Sequence, residues 1–365
     1  MQSDGPRAPV NRGRFQNSDP LAGPRPLKTV LRWALTRRPQ GEVPPRRETR
    51  PYPTQPLMPG QLRLVFVGHA TVVVEFAQLG CLLTDPHWSD RASPVSWAGP
   101  RRIHPPGVPI EQLPPLLGAV ISHNHYDHLD KATIRQLAKQ HGPLNIAAPP
   151  GLNRTLYRWG ASIVRCADWW DELAFQPTNL GLRAGHQDWS TFATRGADGS
   201  GLMVTAVPAQ HWSKRRPFDT NQSLWCGYVI EGSGWKVFFA GDTGYGPHFR
   251  EIGERLGPFD ACLLPIGAYF PSYMMATVHM NPEEAVKAYE DLGKTGLFMA
   301  IHHATFRLTD EPPNEPAERL QAEWTRLKLP QEQLWVPAPG DSKLLSPTED
   351  SATHRIRTQS HPEQT

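Results

Sequence analysis

Residues 121–130, ISHNHYDHLD, set three histidines and two aspartates within eight positions, directly behind the apolar run LGAVIS (117–122). A short apolar run of that kind reads as a buried strand, so the polar groups gather where the backbone leaves a sheet. His123 and His125 are two apart and leave extended backbone on the same side, whereas the neighbours Asp127 and His128 point to different sides. The spacing suits two adjacent metal ions about 3.5–4 Å apart, one on the histidine pair and one on the Asp-His pair. Three later apolar runs end in residues of the same chemistry: His211 in PAQHW, Asp242 in FFAGDTGY and His302 in MAIHHATF. A lone histidine is usually structural. Four strand ends that each deliver a ligand-type residue are what a metal centre at one sheet edge requires.

The chain is long enough for such a sheet. Its 365 residues, 39% hydrophobic and 20% charged, accommodate one large α/β domain or two average ones. A net charge of +3 gives no reason to expect a nucleic-acid partner. No stretch approaches the ~20 apolar residues of a membrane span, and MQSDGPRAPVNRGRF lacks the apolar core of a secretory signal. Cys81, Cys166, Cys226 and Cys262 form no CxxC pair and read as packed thiols of a reducing compartment. The expectation is a cytoplasmic protein.

Charge is unevenly spread. Residues 1–50 carry eleven Arg/Lys against four Asp/Glu, and residues 1–60 hold twelve prolines, which excludes continuous helix over most of this arm. One piece, LKTVLRWALTRR (27–38), has Leu27, Val30, Leu31, Ala34 and Leu35 at helical spacing, with Lys28, Arg32, Arg37 and Arg38 beside them. Such a helix either lies on the body of its own protein or rests on an anionic lipid surface, which would make the chain peripheral on the inner membrane. Residues 61–345 read as the folded domain, with two strands in 62–76 around Gly68 and His69, and another at 81–86 ending in Asp85. Further strands are expected at 202–209, 226–232, 235–242, 259–267 and 297–303, and helices at 130–142, 247–256, 282–292 and 316–328. The polar tail 346–365 reads as disordered.

The His-x-His-x-Asp-His motif resembles the signature of the metallo-β-lactamase superfamily. The blocks GHATVVVEF, LTDPHWSDRASPVSWAGPRR, ISHNHYDHLD, PAQHWSKR, FFAGDTGY, GPFDACLLPIGAY, HMNPEEAV and MAIHHATF resemble, in order and over roughly residues 60–310, those of N-acylphosphatidylethanolamine-hydrolysing phospholipase D and its bacterial relatives. The resemblance implies an αββα sandwich, two mixed sheets face to face with helices outside and a dinuclear site along one edge. It implies His123, His125 and His211 on one metal, Asp127, His128 and His302 on the other, and Asp242 bridging them. Two zinc ions suit this set, and iron or manganese also accept it. His302 rather than His303 is implied because the family places its ligand directly after an Ala-Ile pair; there Trp-Gly follows, whereas here His303 and Ala304 do. Cys226, where the family tends to carry glycine, reads as packing. His69 and Asp85 are implied as supports that fix ring orientation, and His69 reads equally well as a buried histidine with satisfied hydrogen bonds.

Two such ions would lower the pKa of a shared water to about 7 and neutralise charge growing on a phosphoryl group. Asp127 would orient the nucleophile and accept its proton. His279, in VHMNPEEAV, is the candidate proton donor or phosphate contact, or else a surface histidine ahead of a helix that starts at Pro282. The resemblance implies a phospholipid substrate, N-acylphosphatidylethanolamine giving phosphatidate and an N-acylethanolamine, and a homodimer is familiar in that family. CADWWDELAF (166–175) would line an acyl groove or fill the core, and core packing is the expectation. Two rivals are a hydrolase of a soluble lactone or phosphodiester on the same metals, and an inactive lipid-binding protein, which all seven filled ligand positions disfavour.

Overall fold

The computed structural model describes residues 5–175 and 201–347; the tail read as disordered lies outside the described residues from position 348. After a two-residue hairpin of β1 (Val10–Asn11) and β2 (Arg14–Phe15) and the helix α1 (Leu27–Thr36), the strands begin in earnest at residue 62. The first half contributes β3 (Leu62–Gly68), β4 (Thr71–Phe76), β5 (Gly80–Thr84), β6 (Leu116–Val120), β7 (Asn145–Ala148), β8 (Ile163–Cys166) and β9 (Glu172–Phe175). The second contributes β10 (Leu202–Val207), β11 (Gly227–Gly232), β12 (Trp235–Phe239), β13 (Ala261–Pro265), β14 (Leu297–Ile301), β15 (Leu334–Trp335) and β16 (Ser342–Leu345). They form two seven-stranded sheets, β16-β3-β4-β5-β6-β7-β8 and β15-β14-β13-β12-β11-β10-β9. Each is mixed: β5 to β8 run parallel, as do β12 to β15, and the remaining pairs are antiparallel.

Period-two alternation sorts the side chains between two faces. In β3, Leu62, Leu64 and Phe66 join residues of β10, β11 and β12 in one apolar cluster between the sheets. Val65 and Val67 point the other way, into a second cluster with Ile134 and Leu137 of α2 (Lys131–His141) and Leu156 of α3 (Asn153–Arg158). On the outside of the second sheet, α4 (His248–Leu256) sets Phe249 against Phe238. The short α5 (Ser272–Met275) leads to α6 (Pro282–Asp291) and α7 (Glu315–Arg326). Tyr289 of α6, Trp324 of α7 and Phe298 of β14 pack edge-to-face or tilted, with ring centroids 5.3–5.6 Å apart. Helix, sheet, sheet, helix is the αββα order. Ala167, Trp169, Trp170 and Phe175 are buried in the central cluster, so the aromatic side chains of CADWWDELAF fill core.

Local chemistry fixes the segments that border the sheet edge. Asp130 caps α2 by accepting from the amides of Ala132 and Thr133, and Gly142 ends it at φ +76°. Asn281 and Glu284 close a capping box with Pro282 in the first turn of α6, which holds the chain just upstream, where His279 stands. Cys81, Cys226 and Cys262 are buried as expected, but Cys166 is exposed, because β8 is an edge strand.

The arm crosses the body instead of leaving it: Ala8, Asn17 and Tyr52 are buried. No residue of α1 is buried. Trp33 Nε1 and Arg37 Nε tie the helix to the Asp310 carboxylate at 2.6 and 3.2 Å, while Leu27, Leu31 and Leu35 face solvent at 69, 54 and 87% exposure. Among the described residues no helix is long and apolar enough to cross a membrane.

One hydrogen bond joins the sheets close to the motif: Tyr228 Oη, on β11, donates to the carbonyl of Ile121 at 2.9 Å. Tyr228→Phe keeps the packing but strands that carbonyl, and a loss of about 1–3 kcal/mol is expected in urea unfolding.

Candidate metal centre

Asp85 follows β5, the HNHYDH loop follows β6, Asp242 follows β12 and His302 follows β14, so the carboxyl ends of parallel strands from both sheets converge on one edge. His211 arrives on the loop after β10, and His69 sits in the tight β3–β4 turn. His69, Asp85 and His302 all hold left-handed backbone, at φ +58°, +35° and +57°. Conformations of that kind cost about 1–3 kcal/mol each and persist only where the surroundings enforce them. Here Thr305 Oγ1 accepts the His69 amide at 2.7 Å, and the His302 amide donates to the His69 carbonyl at 2.8 Å.

The side chains form two abutting nests. In the first, His125 Nδ1 lies 2.9 Å from His123 Nε2 and 3.2 Å from His211 Nε2, and Asp242 Oδ2 stands 3.9 and 3.7 Å from those two nitrogens. In the second, one oxygen, Asp127 Oδ2, faces His69 Nε2 at 2.9 Å, His128 Nε2 at 3.3 Å and His302 Nε2 at 3.5 Å. Asp242 joins the nests, with Oδ2 at 3.1 Å from His128 Nε2 and Oδ1 at 3.1 Å from His302 Nε2.

Hydrogen bonding alone does not satisfy this arrangement. One proton on His125 Nδ1 could serve only one of the two nitrogens it faces, and His128 Nε2, His302 Nε2 and Asp242 Oδ1 are buried without a hydrogen-bond partner. The separations instead match edges of a coordination polyhedron: ligands ~2.0–2.2 Å from a shared centre stand roughly 3–3.6 Å apart. The residues fit metal ions, His123, His125, His211 and Asp242 around one position, and Asp127, His128, His302, Asp242 and His69 around the other.

Outward partners aim the rings. Asp85 Oδ2 lies 2.7 Å from His128 Nδ1 and accepts the Ser122 hydroxyl at 2.5 Å, and that hydroxyl oxygen lies 2.9 Å from His123 Nδ1. Val278 O lies 2.9 Å from His211 Nδ1. Each contact engages Nδ1 on the far side of the ring and turns Nε2 toward the centre, where a metal would take it. The structure thus puts Asp85 behind His128, and His69 within the second nest, facing its carboxylate. His279 stacks on His302 and meets His211 edge-on, at centroid distances of 5.5 and 5.0 Å, with Nδ1 3.9 Å from Asp242 Oδ2. His303 points away and stacks on Phe66. Sequence reasoning missed Ser122, Thr305 and Asn17. Ser122 adjoins the motif and was findable there; the other two bond to residues far away in the chain and left no local signal.

The nests differ in charge. Burial pushes His123 and His211 well below the ordinary imidazole range, and His125 down to about 4. The three imidazoles of the first nest are therefore neutral and ready to ligate. In the second, burial works against charge, yet His128, with the His302 ring and the His69 hydrogen bond beside it, holds Asp127 well below the usual carboxylate range. Burial likewise opposes protonation of His302, but Asp242 and Asp127 lift it to about 9, and Asp242 and Asp127 carry His128 well above its ordinary value.

A family model described as "Beta-lactamase superfamily domain" matches residues 81–303. An uncharacterized protein of Mycobacterium tuberculosis is 38% identical over 265 residues, 72% of this chain and 64% of its own length, so the chain covers under two thirds of that relative. The N-acyl-phosphatidylethanolamine-hydrolyzing phospholipase D 1 of Caenorhabditis elegans is 36% identical over 258 residues, 70% of this chain and 68% of the relative. Among solved structures, a metallo hydrolase of Ignicoccus hospitalis superposes with a TM-score of 0.54 at 21% identity, covering 79% of this chain and all of that one.

Metal must displace protons from His128 and His302 but not from the first nest. Titrating metal-free protein with zinc at pH 7 in buffers of different ionisation enthalpy should therefore show proton release with one equivalent only. The affinity of that equivalent should rise with pH through about 9, where His302 titrates, and go on rising while His128 keeps its proton. Asp85→Ala should weaken it 10- to 100-fold.

Proposed function

Because this chain belongs to the metallo-β-lactamase superfamily and is a metal-dependent hydrolase, we propose that it cleaves a phospholipid phosphodiester as phospholipase D does. N-acylphosphatidylethanolamine and water would give phosphatidate and an N-acylethanolamine, on two metal ions, zinc by ligand chemistry. The observation that carries this reading is the pair of nests sharing Asp242: a paired centre suits a phosphodiester, whose two non-bridging oxygens need neutralising together. The printed name of the nematode relative supports the substrate class. So does an open groove of about 980 Å³ beside the ligand loop, lined by Arg91, Lys131, Arg135 and Arg216, with Trp97 and Phe218 exposed on the flanking loops.

When bound, the metals supply Lewis acidity and a water acidified to about pKa 7. The chain's own groups do the rest. Asp127, held ionised, orients the attacking water and accepts its proton. As the new P–O bond forms, the bond from phosphorus to the N-acylethanolamine oxygen breaks, and that oxygen leaves as the alcohol with the proton that Asp127 took from the water. His279, lowered to about 4 by burial, is neutral at pH 7, so it suits a hydrogen bond to a phosphoryl oxygen better than proton delivery. Its side chain is 12% exposed at the mouth of the centre, where a substrate oxygen can meet it. The exposed leucines of α1 would rest on the lipid surface, with Lys28 and Arg32 toward anionic headgroups.

Mass spectrometry of products from N-acylphosphatidylethanolamine in mixed micelles, with phosphatidylcholine and a lactone alongside, tests the bond. The expected result is phosphatidate plus N-acylethanolamine from the unmutated protein and neither from Asp127→Asn, with His279→Ala lowering kcat by about 10²-fold. Lactone opening with no lipid product would sink the lipase reading. For the membrane contact, Leu31→Glu with Leu35→Glu should reduce binding to vesicles containing anionic lipid at least about tenfold in a sedimentation assay.

A further inference from the structure

We propose that Asn17, in the amino-terminal arm, is a positioning residue of the metal centre, and that the arm is the strap that holds His211 in place. His211 stands four residues beyond the end of β10, farther from its strand than Asp242, His123 or His302 from theirs. Among the described residues, no strand pairs with its peptide. Asn17 takes that place: its Oδ1 accepts from the His211 amide at 3.0 Å, and its Nδ2 donates to the His211 carbonyl at 2.7 Å.

The rest of the carboxamide is also engaged. Oδ1 accepts from Trp225 Nε1 at 3.0 Å and Nδ2 donates to Ala22 O at 3.0 Å, so both lone pairs and both hydrogens are used. Asn17 is buried, with a relative exposure of 8%. Without it, the amide and carbonyl of a buried metal-facing histidine lose their partners together.

The neighbouring arm residues grip the loops on either side of His211. Arg14 donates to the carbonyls of Thr220 and Phe218, and the Phe15 amide donates to Asn221 O at 2.8 Å. Asn221 in turn exchanges hydrogen bonds with Ser213, two residues past the histidine. Arg25 reaches Met274 O and Thr277 Oγ1, both at 3.0 Å, next to the Val278 carbonyl that orients the His211 ring. Backbone and ring are thus held through one segment, residues 14–25. An aim error of a few tenths of an ångström at one ligand is felt directly as lost affinity.

The inference rests on the metal nests and not on the lipid substrate, so it is tested without one. Full-length Asn17→Ala and Asn17→Asp are compared with the unmutated protein by zinc competition against a chromophoric chelator. Visible spectra are taken after cobalt(II) loading, and thermal unfolding is measured on the metal-free forms. The aspartate keeps an acceptor for the His211 amide but faces the His211 and Ala22 carbonyls with oxygen. Expected is a 10- to 100-fold weakening of one of the two zinc equivalents in both variants, with an altered cobalt spectrum for that equivalent. Zinc affinities within twofold of the unmutated protein and an unchanged cobalt spectrum would overturn the proposal, whatever happens to the unfolding temperature. Should Asn17→Ala fail to fold, Asn17→Asp decides by the same criterion, and Arg14→Ala, which leaves Asn17 in place, should weaken the same equivalent by a smaller factor.

Discussion

Asp127 and Asp242, with His128 and His302 opposite them, are held in their charged forms at the joint edge of the sheets, and everything nearby keeps them facing one another. Burial alone would neutralise Asp127 and Asp242 and strip the protons from His128 and His302. They stay charged because each oxygen stands within about 3–3.5 Å of the nitrogens that need it. Such a cluster is stable only if it is rigid, since one displaced partner leaves a bare charge in a dry site. Metal ions answer the same demand more completely, replacing protons that cannot satisfy every lone pair at once.

Rigidity is supplied from several directions. Asp85 is the pivot of the first sheet's contribution, accepting from the Ser122 amide and hydroxyl and facing His128 Nδ1. From the other side, the capping box of α6 steadies the segment that carries His279 and the Val278 carbonyl. The left-handed backbone at His69, Asp85 and His302 is unfavourable in isolation. It is carried by the apolar packing between the sheets, where Phe66, Val72, Val74, Phe238 and Phe239 are essentially inaccessible. Core and site are therefore not separable parts, because the core stabilises the strain that aims the ligands.

Much of this was legible in the sequence, for a physical reason. A ligand at a strand end is announced by a local change from apolar run to titratable residue, and local patterns survive in one dimension; His123, Asp242 and His302 could be read that way. The caps of α2 and α6 are equally local. What was not legible involves groups brought together from afar: Asn17 on His211, Thr305 on His69, Asp310 under α1. The four-residue strands β7, β8 and β16, the last two at the sheet's edges, are too short for a clear alternation, so nothing local marks Cys166 of β8 as exposed. The arm looked like an appendage because its composition is that of one. Its prolines and arginines exclude regular structure without excluding tight docking.

The distance spanned by the strap has a consequence for how the protein matures. Asn17 and His211 are 194 residues apart, so on the ribosome the arm emerges long before its partner exists. At 5–20 residues per second, that delay is roughly 10–40 s. The HNHYDH loop is translated within this interval, free to capture an ion while His211, Asp242 and His302 are still unmade. Any metal taken then is held by a fragment of its shell and exchanges readily with the cellular pool. Selection of the resident ion thus belongs to the finished chain, after residues 14–25 have returned to close over the loop that carries His211.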